Sequence, residues 1–314
     1  MTATLLLAEA PFRDLLSRAL LTHAQLHLPH APPLLVATRA AGAPPGFAPV
    51  PPGTLPPGIG QVVIAGAFLD RAALEGALNV AGRALATGAT LRVHALALEG
   101  EAARREAPAG IEVLERAAAI RLRDHRTLNV LTLWRLAAPA RIDPYPERHV
   151  LPDPALAAGL PAGPILGLAI RGGEEMRRSW APRVPALRRL LAPAAGWPVL
   201  PLPTLPPGMT GDDLSGSHDF AEAVLPGAPW LLPELADPAV WRRQLSPARL
   251  KGLAARCRVV VTNRDLAASL AIGAGVPVLG IALGADRRIV SCLATLANEL
   301  PRGSELVHPR PGPA

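Results

Sequence analysis

Residues 258–281 constrain the fold more than any other part of the chain. Val259, Val260 and Val261 form a β-branched apolar run, the pattern of a parallel strand buried on both faces. Asn263-Arg264-Asp265 interrupts it with polar groups, and 266–272 reads as an Ala-rich helix whose small side chains permit close packing on a sheet. Gly273 and Gly275 end that helix, and Pro277-Val278-Leu279-Gly280-Ile281 opens the next strand. In open α/β sheets, ligands bind beyond the carboxyl ends of the strands. Arg264 falls there, beside a helix N-terminus whose dipole favours an anion. Arg264 is therefore the leading candidate for a ligand contact. The competing assignment is an ion pair with Asp265 or a cap on a neighbouring helix.

The rest of the chain repeats this alternation. Strands are expected over 2–8, 34–37, 61–66, 91–98 and 118–122, with helices over 12–28, 71–87 and 125–134 and a short helix over 111–116. A Pro/Gly-rich loop is expected over 40–60. The proline-rich stretch 141–163 reads as the crossing between two halves. A second series follows, with strands over 164–170, 198–202 and, very short, 230–232. Helices are expected over 185–191, 214–224 and 247–255, and an amphipathic one over 286–300. Strands alternating with helices imply parallel, doubly wound sheets. The expected architecture is α/β: two Rossmann-like domains, 1–160 and 161–303, facing across a cleft, with a disordered tail over 304–314.

Length and composition fit this reading. A chain of 314 residues exceeds what one hydrophobic core usually serves. Half the residues are apolar but only 3% are aromatic, so the cores must be built from Ala, Leu, Val and Ile. The net charge of +7 is carried almost wholly by arginine, with Lys251 the single lysine. A GC-rich genome favours arginine codons; the functional alternative is an anionic ligand such as a phosphate, carboxylate or sugar nucleotide. Nucleic acid is disfavoured, because the arginines are dispersed and no aromatic residues are interleaved with them. Cys257 and Cys292 are too few and too far apart for a disulfide framework or zinc site, and a reducing cytoplasm suits them. No apolar run reaches the about 18 residues that span a bilayer, so membrane association is expected to be peripheral at most. The sequence has no phosphate loop with Lys-Ser/Thr, no Gly-x-Gly-x-x-Gly, no His-Glu-x-x-His and no Gly-x-Ser-x-Gly.

The order of four segments resembles the polysaccharide pyruvyl transferases. They are 118–128 (with Arg123-Asp124 before a helix), Leu151-Pro152-Asp153-Pro154-Ala155-Leu156, 165–171 ending in Arg171, and 259–281. The resemblance covers most of the chain, about 2–300. It implies a GT-B-like fold and transfer of the enolpyruvyl part of phosphoenolpyruvate onto a sugar hydroxyl, forming a pyruvate ketal in cell-surface polysaccharide synthesis. No cofactor or metal is implied; phosphoenolpyruvate is the donor, and a saccharide or lipid-linked saccharide the acceptor. Arg264 and Asp265 are the candidate catalytic residues, and Arg123, Asp124, Arg171 and Arg288 the candidate substrate-binding ones.

The chain departs from the family pattern in four places. The N-terminal Gly-Asn-x-Gly-Asp turn reads Ala10-Pro11-Phe12-Arg13-Asp14. The triple glycine after the third strand reads Ala65-Gly66-Ala67. Arg-x-His reads Arg264-Asp265-Leu266, and Asp-x-Lys reads Asp286-Arg287-Arg288. Leu266 can neither donate nor accept a proton. Ketal formation needs an acid for the methylene carbon and a base for the sugar hydroxyl. The remaining candidates are Asp265, Asp124, His218 and Asp219. Asp265 suits the acid role only if burial raises its pKa. Asp124 has an alternative as a helix N-cap, and His218-Asp219 as a solvated helix start. Two other functions fit the same chain: a non-catalytic relative that binds an anionic sugar or a protein partner, and a GT-B glycosyltransferase that uses a nucleotide sugar.

Overall fold

The computed structural model describes residues 3–9, 15–16, 18–20, 34–37, 47–283 and 287–308. The chain divides into two compact units, Met1–Pro146 and Glu147–Ala314. The division lies ahead of the expected crossing at 160/161. Among the described residues, no helix is long and apolar enough to cross a membrane.

The first unit is a seven-stranded, wholly parallel sheet. Its strands are β1 (Ala3–Leu7), β2 (Leu34–Ala37), β3 (Ala48–Val50), β4 (Ile59–Phe68), β5 (Thr90–Leu98), β6 (Ala119–Leu122) and β7 (Ala140–Ile142), in the order β3-β2-β1-β4-β5-β6-β7. The order reverses between β1 and β4, as in a doubly wound fold. All five residues of β1 are buried, as a central parallel strand requires. The Arg71–Ala86 helix starts where Asp70 accepts a hydrogen bond from the Ala72 amide. Leu74, Leu78, Ala81 and Ala84 then bury one stripe in the core that also holds Ile64, Leu96 and Ile120. Two edge strands correct the sequence reading. β3 lies inside the stretch expected to be loop, because Pro49 is tolerated at a sheet edge where its missing N–H costs no ladder bond. β7 occupies the other edge and is too short to show periodicity. Of the helix expected over 12–28, the described residues 15, 16 and 18–20 are helical.

The second unit is a five-stranded parallel sheet. It consists of β8 (Leu166–Ala169), β9 (Val199–Pro201), β10 (Val259–Thr262), β11 (Val278–Ile281) and β12 (Glu305–Val307), in the order β12-β11-β10-β8-β9. Trp230 bridges Val199 outside β9. With that bridge as a rudimentary strand, the order again reverses about the unit's first strand, between β8 and β10. β12 corrects the expected tail: Glu305–Val307 pairs with β11, and the Ser304 hydroxyl accepts the Val278 amide at 3.1 Å. The last amphipathic helix is Arg288–Thr295, followed by a 3₁₀ turn over Ala297–Glu299. Two short helices, Glu174–Trp180 and Pro238–Gln244, have no counterpart in the sequence reading.

Much of the expected crossing segment belongs to the second unit, which explains where the division falls. The Asp153 amide donates to the Ala248 carbonyl at 2.8 Å, and its carboxylate pairs with Arg249 at 3.0 Å. Glu147 accepts from the Ser269 hydroxyl at 3.1 Å, Lys251 donates to the Arg148 carbonyl, and Arg148 pairs with Glu299 at 2.8 Å. Gly252 and Gly273 let this backbone lie flat on two helices. A Cβ on Gly252 would sit 2.7 Å from the Asp153 carbonyl carbon, and one on Gly273 would sit 2.9 Å from that of Arg148. Burial holds the Lys251 ammonium below its usual pKa, and the Arg148 charge acts in the same direction.

Cys257 packs against Gly167 of β8, where an added Cβ would lie 2.8 Å from its sulfur. Burial pushes this thiol up to about 12, against a smaller opposing pull from Arg256. Iodoacetamide labels thiolates, so Cys257 should remain unmodified at pH 8 in the native protein and label fully in denaturant. Peptide mass mapping distinguishes the two; native-state labelling at the rate of a free thiol would contradict the burial.

Candidate anion site at the carboxyl edge of the second sheet

β8 and β10 are adjacent and parallel, so their carboxyl ends emerge side by side at the point where the strand order reverses. Short polar contacts knit the two exits together. The Thr262 hydroxyl donates to the Ala169 carbonyl at 2.7 Å and accepts the Arg264 amide at 2.8 Å. The Asn263 side-chain oxygen accepts the Arg171 amide at 2.8 Å. Arg171 and Arg264 are thus fixed at neighbouring positions by their own backbones.

The Asp213–Val224 helix closes one side. Asp212 caps it, accepting the Ser215 amide at 2.7 Å, while the Asp212 carbonyl accepts the Gly172 amide at 2.9 Å. The Ser217 hydroxyl accepts the Ile170 amide at 2.9 Å. Gly216 makes the approach possible, since a Cβ there would lie 2.6 Å from the Arg171 carbonyl carbon. The Asp213 carboxylate, fully buried, accepts from the Thr204 amide and hydroxyl at 2.7 and 2.6 Å and from the Leu205 amide at 3.2 Å.

Arg264 reaches into this arrangement. Its Nη2 donates to the Gly211 carbonyl and pairs with Asp213 at 3.5 Å. Its Nε is buried and has no hydrogen-bond partner among the described residues. The side chain is 11% exposed. Gly211 has a left-handed backbone, φ 74°, and an added Cβ would lie 3.4 Å from Arg171 Nε. Arg171 and Arg264 therefore both approach Gly211, Arg264 paired with the buried Asp213 carboxylate and Arg171 partly exposed. Such an edge suits an anion: arginine forks match phosphate and carboxylate oxygens, and an orphaned buried N–H carries a desolvation cost that an added acceptor removes.

The remaining expected residues lie elsewhere. Asp265 is the first residue of the Asp265–Gly273 helix and is buried, with Cys292 Sγ 3.7 Å from its carbonyl oxygen. Leu266 is buried in the same helix. Arg288 opens the Arg288–Thr295 helix, partly exposed, beyond β11. Arg123 and Asp124 are in the first unit. Arg123 is 0% exposed, its guanidinium lies 4.5 Å from the centre of the Tyr145 ring, and it is 3.6 Å from Asp124. Asp124 caps the His125–Leu133 helix, accepting from the Thr127 amide at 2.8 Å and hydroxyl at 2.9 Å. This pair occupies an internal cation–π and capping arrangement. His218 and Asp219 are exposed on the Asp213–Val224 helix. Sequence reasoning passed over Asp213, Thr204 and Gly216. Gly211-Asp212-Asp213 ahead of an apolar helix was the available signal, but nothing in it separates the capping aspartate from the buried one. Among the described residues, no cluster of three or more His, Cys, Asp or Glu could hold a metal ion.

No protein-family model matches the sequence, and no curated protein matches it. Solved structures do resemble it. The UDP-GlcNAc 2-epimerase of Neisseria meningitidis, bound to UDP-GlcNAc, superposes with a TM-score of 0.53 at 8% identity, over 97% of this chain and 87% of that one. Staphylococcus aureus MnaA, solved with UDP, gives a TM-score of 0.50 at 9% identity, over 97% and 92%. Likeness at such low identity speaks to fold alone. Together with the two parallel sheets, it makes this a two-domain, Rossmann-like, GT-B-like fold.

Proposed function

We propose that the carboxyl edge of β8 and β10 binds the anionic donor of a group transfer to a saccharide, and that the donor is phosphoenolpyruvate. The observation that carries this reading is the approach of both Arg171 and Arg264 to Gly211 at the strand-order reversal. Phosphoenolpyruvate presents a phosphate and a carboxylate, one for each fork. The motif order of the sequence supports the same donor. In this role Asp265 lies next to the donor, at the helix start that follows Arg264, and Leu266 supplies no proton. A second reading, a nucleotide-sugar donor, is favoured by the UDP-GlcNAc and UDP held by the two structural neighbours.

Calorimetric titration separates the two. Phosphoenolpyruvate should bind saturably in the millimolar range or below, UDP-GlcNAc should not compete, and Arg264→Ala should weaken binding about 10- to 150-fold. That span corresponds to roughly 1.5–3 kcal/mol for hydrogen bonds to a charged group. Competition by UDP-GlcNAc would favour the nucleotide-sugar reading. No binding of phosphoenolpyruvate up to 5 mM (roughly the weak end of metabolite affinities) would remove the pyruvyl transfer reading.

A further inference from the structure

We infer that a cavity beside the Asp213–Val224 helix, in the Glu147–Ala314 unit, is a binding site for an uncharged saccharide ring. The cavity, about 570 Å³, lies along the Asp213–Val224 helix and is lined in part by Ser215, His218, Asp219, Trp230 and Pro233. Its volume falls within the span of small-ligand sites, roughly 300–1,000 Å³.

The chemistry of the wall selects the ligand class. Trp230 is held from behind: its backbone bridges Val199, with the Val199 amide donating to Pro229 at 2.7 Å and the Leu231 amide to Val199 at 2.9 Å. The His218 ring meets the indole edge-to-face, 5.5 Å between centres at 69°. The indole is therefore a fixed apolar surface, of the kind on which the C–H face of a pyranose stacks. Among the described residues, the Trp230 indole N–H and the Asp219 carboxylate have no hydrogen-bond or ion-pair partner. One is a donor and the other an acceptor, and sugar hydroxyls satisfy both. The Ser215 hydroxyl has only a long, 3.4 Å bond to the Asp212 carbonyl. The charge on the wall excludes the competing class. Among the described residues, no arginine or lysine lines the cavity, although the chain holds 32 of them, while Asp212 and Asp219 do. A phosphate or nucleotide would meet two carboxylates with only the His218 imidazole, itself 3.7 Å from Glu222, to offset them, and like charges at close range cost rather than gain. A neutral polyol meets no such cost. This assignment does not depend on the donor reading of Arg171 and Arg264, which belong to a different set of residues.

The test is saturation-transfer difference NMR with methyl glycosides of β-D-glucose, β-D-galactose, α-D-mannose and N-acetyl-β-D-glucosamine, each titrated to about 20 mM, a range set by the weak affinity of monosaccharide-sized ligands. At least one should bind saturably. Trp230→Ala should weaken it about tenfold or more and Asp219→Asn about threefold to tenfold. Asp219 is exposed, so its variant reports on the site even if Trp230→Ala unfolds. Absence of binding by the unsubstituted protein to all four glycosides would overturn the inference. So would binding that both Trp230→Ala and Asp219→Asn retain in full. Loss of phosphoenolpyruvate binding with glycoside binding intact would sink the donor reading alone.

Discussion

Replacing Asp213 with alanine should destabilise the second unit by about 3–5 kcal/mol, the range measured when one partner of a buried charged network is removed. The carboxylate is fully buried and receives three donors from Thr204 and Leu205 in addition to the Arg264 guanidinium. Alanine would leave the buried Thr204 amide and hydroxyl and the half-buried Leu205 amide unpaired, a buried group carrying a desolvation cost of about 1–3 kcal/mol, and would deprive Arg264 of its counter-charge. Asp213→Asn is the informative comparison. It keeps one carbonyl acceptor and the shape but loses the charge, so it should cost less than alanine. Urea unfolding followed by tryptophan fluorescence suits the measurement, because Trp180, Trp197, Trp230 and Trp241 all lie in the second unit and only Trp134 in the first. An alanine variant within about 1 kcal/mol of the unsubstituted protein, the typical effect of an ordinary substitution, would show that Asp213 is not the anchor this geometry makes it.

That network also marks how far the sequence could be read. The strand–turn–helix–strand stretch around Arg264 was legible because its signals are local: a β-branched run, a polar break, small helical residues and terminal glycines. The same holds for β4, β5 and the helix between them, where Asp70 and Gly88 punctuate a plain alternation. Three of the four edge strands were not legible; β9, expected over 198–202, was. β3, β7 and β12 are three residues each, and their pairing is decided by the neighbouring strand rather than by their own pattern. The site was half legible. Strand ends are predictable, so Arg171 and Arg264 stood out. Whether an arginine at a strand end is presented or consumed depends on what packs over it, which is a tertiary matter. Arg123 also follows a strand end, directly after β6, yet it is buried against Tyr145, which lies beyond β7. The Asp153-Pro154 stretch shows the same limit. Its prolines read as a linker, but what anchors it is the absence of a side chain on Gly252 and Gly273, which no local pattern announces.

Gly216→Ala puts that point in a form where two views predict opposite signs. Judged by helix propensity, alanine in place of a mid-helix glycine should stabilise by about 0.5–1 kcal/mol. Gly76, inside the Arg71–Ala86 helix with nothing within 4 Å of an added Cβ, should behave that way. Gly216 should not. Its Cβ would fall well inside contact distance of the Gly172 amide nitrogen and the Ile170 carbonyl oxygen, and both are backbone atoms that cannot rotate aside. Ile170 and Gly172 are also tied in place by the Ser217 hydroxyl and the Asp212 carbonyl, each at 2.9 Å. Overpacking of this kind costs about 1–3 kcal/mol or more, and relief requires the helix to move off the strand end. Because the same backbone carries Arg171, that movement should weaken anion binding as well as lower the melting temperature. Thermal unfolding by circular dichroism should therefore show Gly76→Ala melting higher and Gly216→Ala melting lower than the unsubstituted protein. A rise for both would mean that the helix does not touch the strand end closely enough for Gly216 to matter. The anion site would then have lost the wall that defines it.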